Sequence, residues 1–139
     1  MTEEDIPFAL QLWQGMAGIG LRDADSPEAL ARYLQRNPGT SSVAITPNGD
    51  RIGICLAGHD GRRGYLHHVA VASVHQNRGI GRQLVEASLT ALKTIGIEKV
   101  HLWVKVDNEA GKGFWEHMGW NSRTDIALMS IVTGDNPNA

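Results

Sequence analysis

A strand, a glycine-rich loop, a helix and a second strand follow one another between residues 65 and 106, and this order restricts the fold more than any other feature. Tyr65–Ser73 and Val100–Val106 have the β-branched and aromatic content of strands. Between them, from Gly79 to Gly96, apolar residues recur with the period of a helix. Two strands of one sheet joined through such a helix run parallel, with a right-handed connection. The chain is therefore predicted to contain a sheet that is partly parallel and is covered by helices.

Two helices and a hairpin are predicted before this unit. Apolar residues from Ile6 to Trp13 are spaced as on one face of a helix, and Ser26-Pro27 is typical of the start of a second helix. Two strand-like runs, Ser41–Thr46 and Arg51–Gly58, flank an Asn-Gly pair, which predicts a β-hairpin.

The chain after residue 106 predicts a short helix at Ala110–Met118 and a last strand at Ile126–Val132. Residues 135–139 are expected to be a frayed tail. The predicted fold class is α/β (α+β), a single domain over residues 1–134 in which a mixed sheet is flanked by helices.

Composition excludes several classes of function. The 139 residues carry a net charge of −2, so no basic field is available to bind nucleic acid by counterion release. Cys55 is the only cysteine, which excludes an internal disulfide and a zinc site built from several cysteines, and the histidines show no metal-ligand spacing. The first five residues are acidic where a signal peptide is basic, and no apolar run is long enough to span a membrane. We expect a cytoplasmic protein without a metal ion, a nucleic-acid partner or a membrane segment.

The loop His75–Arg82 has the properties of an anion site. Its glycines, Gly79 and Gly81, allow the backbone to turn tightly and to approach a ligand. The first N–H groups of the following helix lack internal partners, and Arg78 and Arg82 add positive charge. The alternative is an ordinary helix cap with solvated arginines. A dinucleotide-binding fingerprint is excluded because its third glycine is replaced by Leu84.

The same segment resembles a known family. Gln76-x-x-Gly79-x-Gly81 is similar to the Q/R-x-x-G-x-G/A pyrophosphate loop of the GNAT-superfamily N-acetyltransferases, and Leu66–Val71 is similar to the strand before that loop. Downstream, a block that begins with Leu102-x-Val104-x-x-x-Asn108 and continues to Trp115-Glu116-x-x-Gly119-Trp120 resembles the family's next strand and helix. The resemblance implies a mostly antiparallel sheet and covers nearly the whole chain.

The resemblance also implies acetyl-CoA as co-substrate and assigns residues to it. The backbone of Val69, Ala70 and Val71 would pair with the pantetheine arm as an added strand would. Asn108 would hydrogen-bond the cofactor from the opposite wall, unless it only caps a helix, and Trp115 stands where the family often has a tyrosine that protonates the leaving thiolate. The backbone amides assigned to the pyrophosphate are those of Gln76, Asn77, Arg78, Gly79, Ile80, Gly81 and Arg82.

A general base is needed because the acceptor amine must lose a proton. Many members of the family carry a glutamate two residues before the position of Val69, and here that residue is His67. Tyr65 is expected on the same face of the strand and is the second catalytic candidate, whereas alternation predicts His68 on the opposite face. The alternative for His67 is a histidine with a purely structural role. A second family route, a glutamate on the next strand, is absent because Trp103 stands there.

Two further departures from the family concern the ends of the chain. The usual first strand is missing, and few residues follow Trp120, so the acceptor side is expected to be shortened. Ser41–Thr46 then becomes an edge strand, which predicts a homodimer or a covered edge. The function expected is transfer of an acetyl group from acetyl-CoA to a primary amine of a small molecule, peptide or protein. The alternative is a non-catalytic module that binds and senses acyl-CoA.

Overall fold

The computed structural model describes residues 1–139, which form two compact units, 1–103 and 104–139. A four-stranded sheet in the order β1-β2-β3-β4 organises the first unit. Short 3-10 turns lie at Glu3–Asp5, Asp23–Asp25 and Ser73–His75. The elements of the first unit are α1 (Ile6–Gln14), α2 (Pro27–Arg36), β1 (Ser42–Ile45), β2 (Arg51–His59), β3 (Gly64–Val71), α3 (Ile80–Thr94) and β4 (Val100–Leu102).

The sheet confirms the predicted fold class. β1 and β2 form the predicted hairpin, and both the β1–β2 and β2–β3 pairs are antiparallel. β3 and β4 are parallel, as the crossover through α3 requires, but they pair only from Gly64 to Leu66 on β3. β4 ends at Leu102, four residues earlier than predicted, and no strand precedes α1. β1 is an edge strand, and the homodimer expected from that edge remains a prediction.

Helices cover both faces of the sheet. α1 and α2 pack on one face, where side chains such as those of Trp13, Leu30 and Ile54 form the main core cluster. α3 packs on the other face, where Leu84 approaches Gly53 of β2 so closely that an added Cβ would lie 2.9 Å from Leu84 Cδ1. No helix in the structure is long and apolar enough to cross a membrane.

Cys55 of β2 lies in the core on the α3 face and is fully buried. Burial raises the pKa of its thiol to about 11, although hydrogen bonds with Ser88 and Ser42 act in the opposite direction. The thiol therefore stays protonated at neutral pH and is a packing group.

Gly58 of β2 allows α2 to approach the sheet. An added Cβ would lie 2.2 Å from Tyr33 Oη and 2.7 Å from Asn37 Cγ. Gly58→Ala should lower the free energy of unfolding by about 1–3 kcal/mol, the usual cost of overpacking. The control is Gly20→Ala, where a Cβ meets nothing within 4 Å. Urea denaturation of both variants checks this; equal effects of the two substitutions would contradict the contact.

A β-bulge in β3 corrects the predicted orientation of His68. Cys55 pairs with Val69 and Ala57 pairs with Leu66, so a single β2 residue lies opposite both His67 and His68. Such a bulge interrupts the alternation of side chains. Both histidines therefore contact the α1–α2 side of the sheet: His67 meets Tyr33 of α2, and His68 meets Trp13 of α1. The prediction of opposite faces is wrong because a bulge cannot be detected from apolar periodicity.

The second unit contains α4 (Glu109–His117) and no strand. The predicted last strand at Ile126–Val132 is wrong: the segment has no strand partner, and its large side chains, such as Met129 at 91% exposure, face solvent. Its apolar content resembles that of a strand, but a strand also needs a neighbour for its backbone groups. The predicted domain boundary at residue 134 remains a prediction.

Candidate active site

The glycine loop leads into the N-terminus of α3 with a left-handed backbone. Asn77 has φ +60° and Gly79, the N-cap of α3, has φ +77°. Glycine adopts this conformation without strain, and asparagine is among the residues that tolerate it best. The loop residues Gln76–Gly79 are exposed. This geometry explains why a glycine is required immediately before the helix.

The N–H groups at this end of α3 are available to a ligand. No side chain caps the helix. Along the helix, the first backbone N–H that has a hydrogen-bond partner is that of Gln83, which donates to the carbonyl of Gly79. Gln76 differs from the expectation, because its own N–H donates to the Ser73 carbonyl at 3.3 Å. The free amides therefore run from Asn77 to Arg82, which fits a pyrophosphate at a helix N-terminus.

The side chain of Gln76 holds the loop against β3. Its Nε2 donates to the carbonyl of Val71 at 2.9 Å. This bond ties the end of the strand to the start of the loop and leaves the amide side chain committed within the protein. Gln76 therefore shapes the site rather than offering its side chain to a phosphate.

The edge of β3 that follows Leu66 is open. Pairing with β4 stops at Leu66, although β3 continues to Val71. The Ala72 N–H donates to Ile52 of β2, so alternation directs the backbone groups of Val69 and Val71 away from β2, towards the open edge. The Val71 carbonyl already accepts the Gln76 side chain, so an extended ligand can pair with the N–H and carbonyl of Val69 and with the N–H of Val71, as an added strand does. The residues present therefore fit the pantetheine arm that the resemblance implies.

Three aromatic side chains, which we call the ring cluster, stand together on the α1–α2 side of the sheet. They are Tyr65, His67 and Trp103. The Tyr65 and Trp103 rings are parallel to within 2° with centroids 5.6 Å apart, and His67 lies 5.7 Å from Trp103 and 6.3 Å from Tyr65. Tyr33 of α2 packs its ring edge-to-face against His67 at 5.5 Å. The cluster is half exposed, with Trp103 at 51%.

His67 is suited to accept a proton. Desolvation between the rings, with a smaller contribution from neighbouring His68, lowers the pKa of His67 below its usual value of 6.5, and Asp25 opposes this shift. The side chain of His67 contacts the rings of Tyr33, Tyr65 and Trp103, and neither of its ring nitrogens has a hydrogen-bond partner in the protein. The imidazole is therefore neutral at pH 7 and has a free acceptor nitrogen.

His68 is engaged in the structure. Its Nε2 lies 2.8 Å from Asp25 Oδ1, both side chains are largely buried, and the ring packs on Trp13 at 4.8 Å. These contacts attach the segment between α1 and α2 to the bulge. Of the two neighbouring histidines, only His67 is free for chemistry.

The Tyr65 hydroxyl points to the β2–β3 turn. It donates to Asp60 Oδ2 at 3.2 Å, while Asp60 Oδ1 accepts the N–H groups of Arg62 and Arg63. The hydroxyl proton of Tyr65 is thus donated to Asp60 and not to a group near Val69–Val71. The Tyr65 ring packs against His67 with centroids 6.3 Å apart, and its assignment as a catalytic residue remains a prediction.

Asn108 and Trp115 belong to the second unit. Asn108 caps α4 by accepting the Gly111 N–H at 2.9 Å. A helix cap was the alternative to the cofactor contact in the sequence analysis. Trp115 packs edge-to-face against Phe114 at 4.9 Å and Trp120 at 5.3 Å. Their assignment to the cofactor remains a prediction.

The cap can be tested apart from cofactor binding. Asn108→Ala should lower the free energy of unfolding by about 1 kcal/mol, because the first turn of α4 loses its acceptor. Asn108→Asp keeps an acceptor and should stay near wild type. Thermal denaturation separates the two. Equal destabilisation by both changes would contradict the cap. Weaker acetyl-CoA binding by the aspartate variant, in which the cap is retained, would support the predicted cofactor contact.

Two residues of this site were not predicted. The sequence indicates Trp103 only as the residue that stands in place of a glutamate, and nothing in the sequence singles out Tyr33. The parallel register, in which Tyr65 pairs with His101, brings Trp103 beside His67. No group of three or more potential metal-ligating side chains is present in the described residues.

Comparison with known proteins agrees with this geometry. The model of the Acetyltransferase (GNAT) family matches residues 8–120. The chain belongs to this family. An acetyltransferase of Pectobacterium atrosepticum is 30% identical over 127 residues, which cover 91% of this chain and 88% of the relative. The N-alpha-acetyltransferase 30 of Schizosaccharomyces pombe is 26% identical, over 83% of this chain and 81% of its own length.

A solved structure shows the same fold. The crystal structure of Ard1 from Thermoplasma volcanium superposes with a TM-score of 0.74 at 18% identity, covering 86% of this chain and 78% of that protein. The family, whose members generally use acetyl-CoA, and the named relatives identify the chain as an acyltransferase.

Proposed function

We propose that this GNAT acetyltransferase transfers the acetyl group of acetyl-CoA directly to a primary amine, with His67 as general base. One observation carries the proposal: β3 joins the free imidazole of His67 to the open edge at Val69–Val71, and the glycine loop then leads to the unpaired amides of α3. A base, a strand edge and an anion site thus follow one another on one continuous segment.

The segment has a distinct role for each part of the cofactor. The backbone of Val69 and Val71 would hold the pantetheine arm, whereas the backbone groups of Ala70 face Ile54 of β2, so the predicted role of Ala70 in this pairing is not proposed. The amides from Asn77 to Arg82 would bind the pyrophosphate. Arg78 and Arg82 are exposed and supply positive charge at the same end of α3. Acetyl-CoA, when bound, supplies a thioester whose carbonyl carbon accepts the amine and whose thiolate leaves.

His67 would remove the proton that the acceptor must lose. A neutral imidazole nitrogen accepts the proton from the amine as the new carbon–nitrogen bond forms and the carbon–sulfur bond breaks. An N–H near Val71 would donate to the carbonyl oxygen where negative charge develops. A thiol has a pKa of about 8.5, so CoA can leave as a thiolate and no dedicated acid is required.

A primary amine is the acceptor class that the comparisons favour. The name of the Schizosaccharomyces pombe relative describes an N-alpha-acetyltransferase, and an antibiotic 6'-N-acetyltransferase of Acinetobacter haemolyticus shares the fold with a TM-score of 0.73. Both names denote transfer to an amine nitrogen. The acceptor here is therefore proposed to be an amine of a small molecule, peptide or protein.

Release of free CoA tests the proposal. The purified chain is incubated with acetyl-CoA and a panel of amines and peptides with free N-termini, and thiol formation is followed with a thiol reagent. Turnover above the rate without acceptor supports transfer. Binding of acetyl-CoA by calorimetry, without turnover on any acceptor, would instead favour the acyl-CoA-sensing module.

A further inference from the structure

We propose that the ring cluster selects the acceptor, and that the preferred acceptor is a primary amine with an aromatic group about two carbons from its nitrogen. This inference rests on the proposed function, because it concerns the second substrate of the same site. The juxtaposition of Trp103 with the free imidazole of His67 is what points to it.

The cluster presents an aromatic face that the protein does not cover. Trp103 remains 51% exposed although it stacks on both Tyr65 and His67. About half of the Trp103 side chain is therefore accessible to a ligand, and offset stacking is a favoured arrangement of aromatic pairs. An indole is also the best natural face for a cation, such as the ammonium form of an arriving amine.

The distance between Trp103 and His67 matches a short linker. Their ring centroids are 5.7 Å apart. A six-membered ring extended by two carbons and a nitrogen, with bonds of about 1.5 Å each, spans a similar distance from ring centre to nitrogen. The two lengths are of similar size, so we infer that an amine of this length reaches His67 when its ring packs against the exposed part of Trp103.

The two carboxylates near the cluster make hydrogen bonds within the protein. The carboxylate that contacts the cluster, that of Asp60, accepts the Tyr65 hydroxyl and the backbone N–H groups of Arg62 and Arg63. Asp25 is bonded to His68. Both carboxylates are held by groups of the protein, whereas the Trp103 ring is half exposed, so we infer that aromatic contact provides the selectivity.

The test compares 2-phenylethylamine, hexylamine and 1,4-diaminobutane as acceptors. The wild type should show a kcat/KM for 2-phenylethylamine about three- to tenfold above that for hexylamine, the effect of one aromatic pair. Trp103→Leu should remove this preference by raising the KM for 2-phenylethylamine, with kcat and the acetyl-CoA affinity little changed. Trp103→Phe should keep most of the preference.

A matched control is Ile95→Ala, at the end of α3, where the side chain is 53% exposed. It should leave both KM values unchanged. A wild type without preference for 2-phenylethylamine would overturn the inference. A Trp103→Leu variant that lowers kcat/KM equally for both amines and also lowers the melting temperature would overturn it as well. That result would mean that Trp103 only packs against its neighbours and does not contact the acceptor.

The outcomes separate the inference from the proposed function. Turnover of hexylamine or diaminobutane without any advantage for 2-phenylethylamine leaves the proposed function intact and overturns the inference. If neither these amines nor the peptides of the wider panel release CoA, the proposed function fails. Calorimetry with the same amines then decides: tighter binding of 2-phenylethylamine than of hexylamine, lost in Trp103→Leu, supports the aromatic site, and equal or absent binding overturns it.

Discussion

His67→Phe is expected to lower kcat for acetyl transfer about 10²–10⁴-fold, the range by which a general base accelerates proton transfer. Phenylalanine keeps a ring beside Tyr65 and Trp103 and against Tyr33, so the cluster retains its packing. It has no nitrogen that can take a proton. Acetyl-CoA affinity should change little, because the proposed binding groups are mostly backbone amides.

The pH dependence gives an independent measure of the same role. Desolvation holds the pKa of His67 below 6.5, so the base is active above that pKa and is lost as the pH falls through it. The wild-type kcat/KM should therefore decrease as the pH falls, with a midpoint below pH 6.5. This acid limb of the pH profile should be absent in His67→Phe. A limb centred above 6.5, or one that persists in the variant, would assign the base to another group.

His68→Gln is the matched control for His67→Phe. The amide of glutamine can still donate to Asp25, which His68 contacts at 2.8 Å, and His67 keeps its free nitrogens. We expect kcat within a fewfold of wild type. Loss of activity in His68→Gln equal to that in His67→Phe would mean that the anchored bulge, rather than the imidazole of His67, limits the reaction.

The local order of elements could be predicted from the sequence because it depends on local signals. The Ser26-Pro27 start of α2, the Asn-Gly turn of the hairpin and Gly79 before α3 all occur where expected. The parallel pairing of β3 and β4 followed from chain connectivity alone. These features require only neighbouring residues and the handedness of the chain.

The parts that were missed depend on pairing between distant residues. The bulge at His67 and His68 arises from the register between β2 and β3, which no periodicity within β3 reveals. The position of Trp103 beside His67 likewise depends on the register with β4. Ile126–Val132 has a strand-like composition without a strand partner. Composition indicates what a segment can form, whereas pairing determines what it does form.

The glycine loop carries the second large effect, which concerns cofactor affinity. Gly81→Glu places a carboxylate in the first turn of α3, among the amides from Asn77 to Arg82. Two unit charges about 4 Å apart repel by about 4 kcal/mol near a protein surface, which corresponds to an affinity loss on the order of 10³-fold for an anionic ligand. Acetyl-CoA at a hundred times its wild-type Kd should stabilise the wild type by about 2.7 kcal/mol and the variant hardly at all.

The fold should tolerate Gly81→Glu, so the lost affinity can be read without ambiguity. A glutamate in the first turn interacts favourably with the positive end of the helix, and replacing a helical glycine removes backbone entropy from the unfolded chain. The free variant should therefore melt at or above the wild-type temperature. Gly81→Ala is the matched control, since it adds a methyl group without charge and alanine occurs at this position of the family's loop; it should keep most of the thermal shift. A full shift with the glutamate variant would place the pyrophosphate site elsewhere on the protein. Equal loss in both variants would assign the effect to the bulk of any side chain at residue 81 and not to its charge.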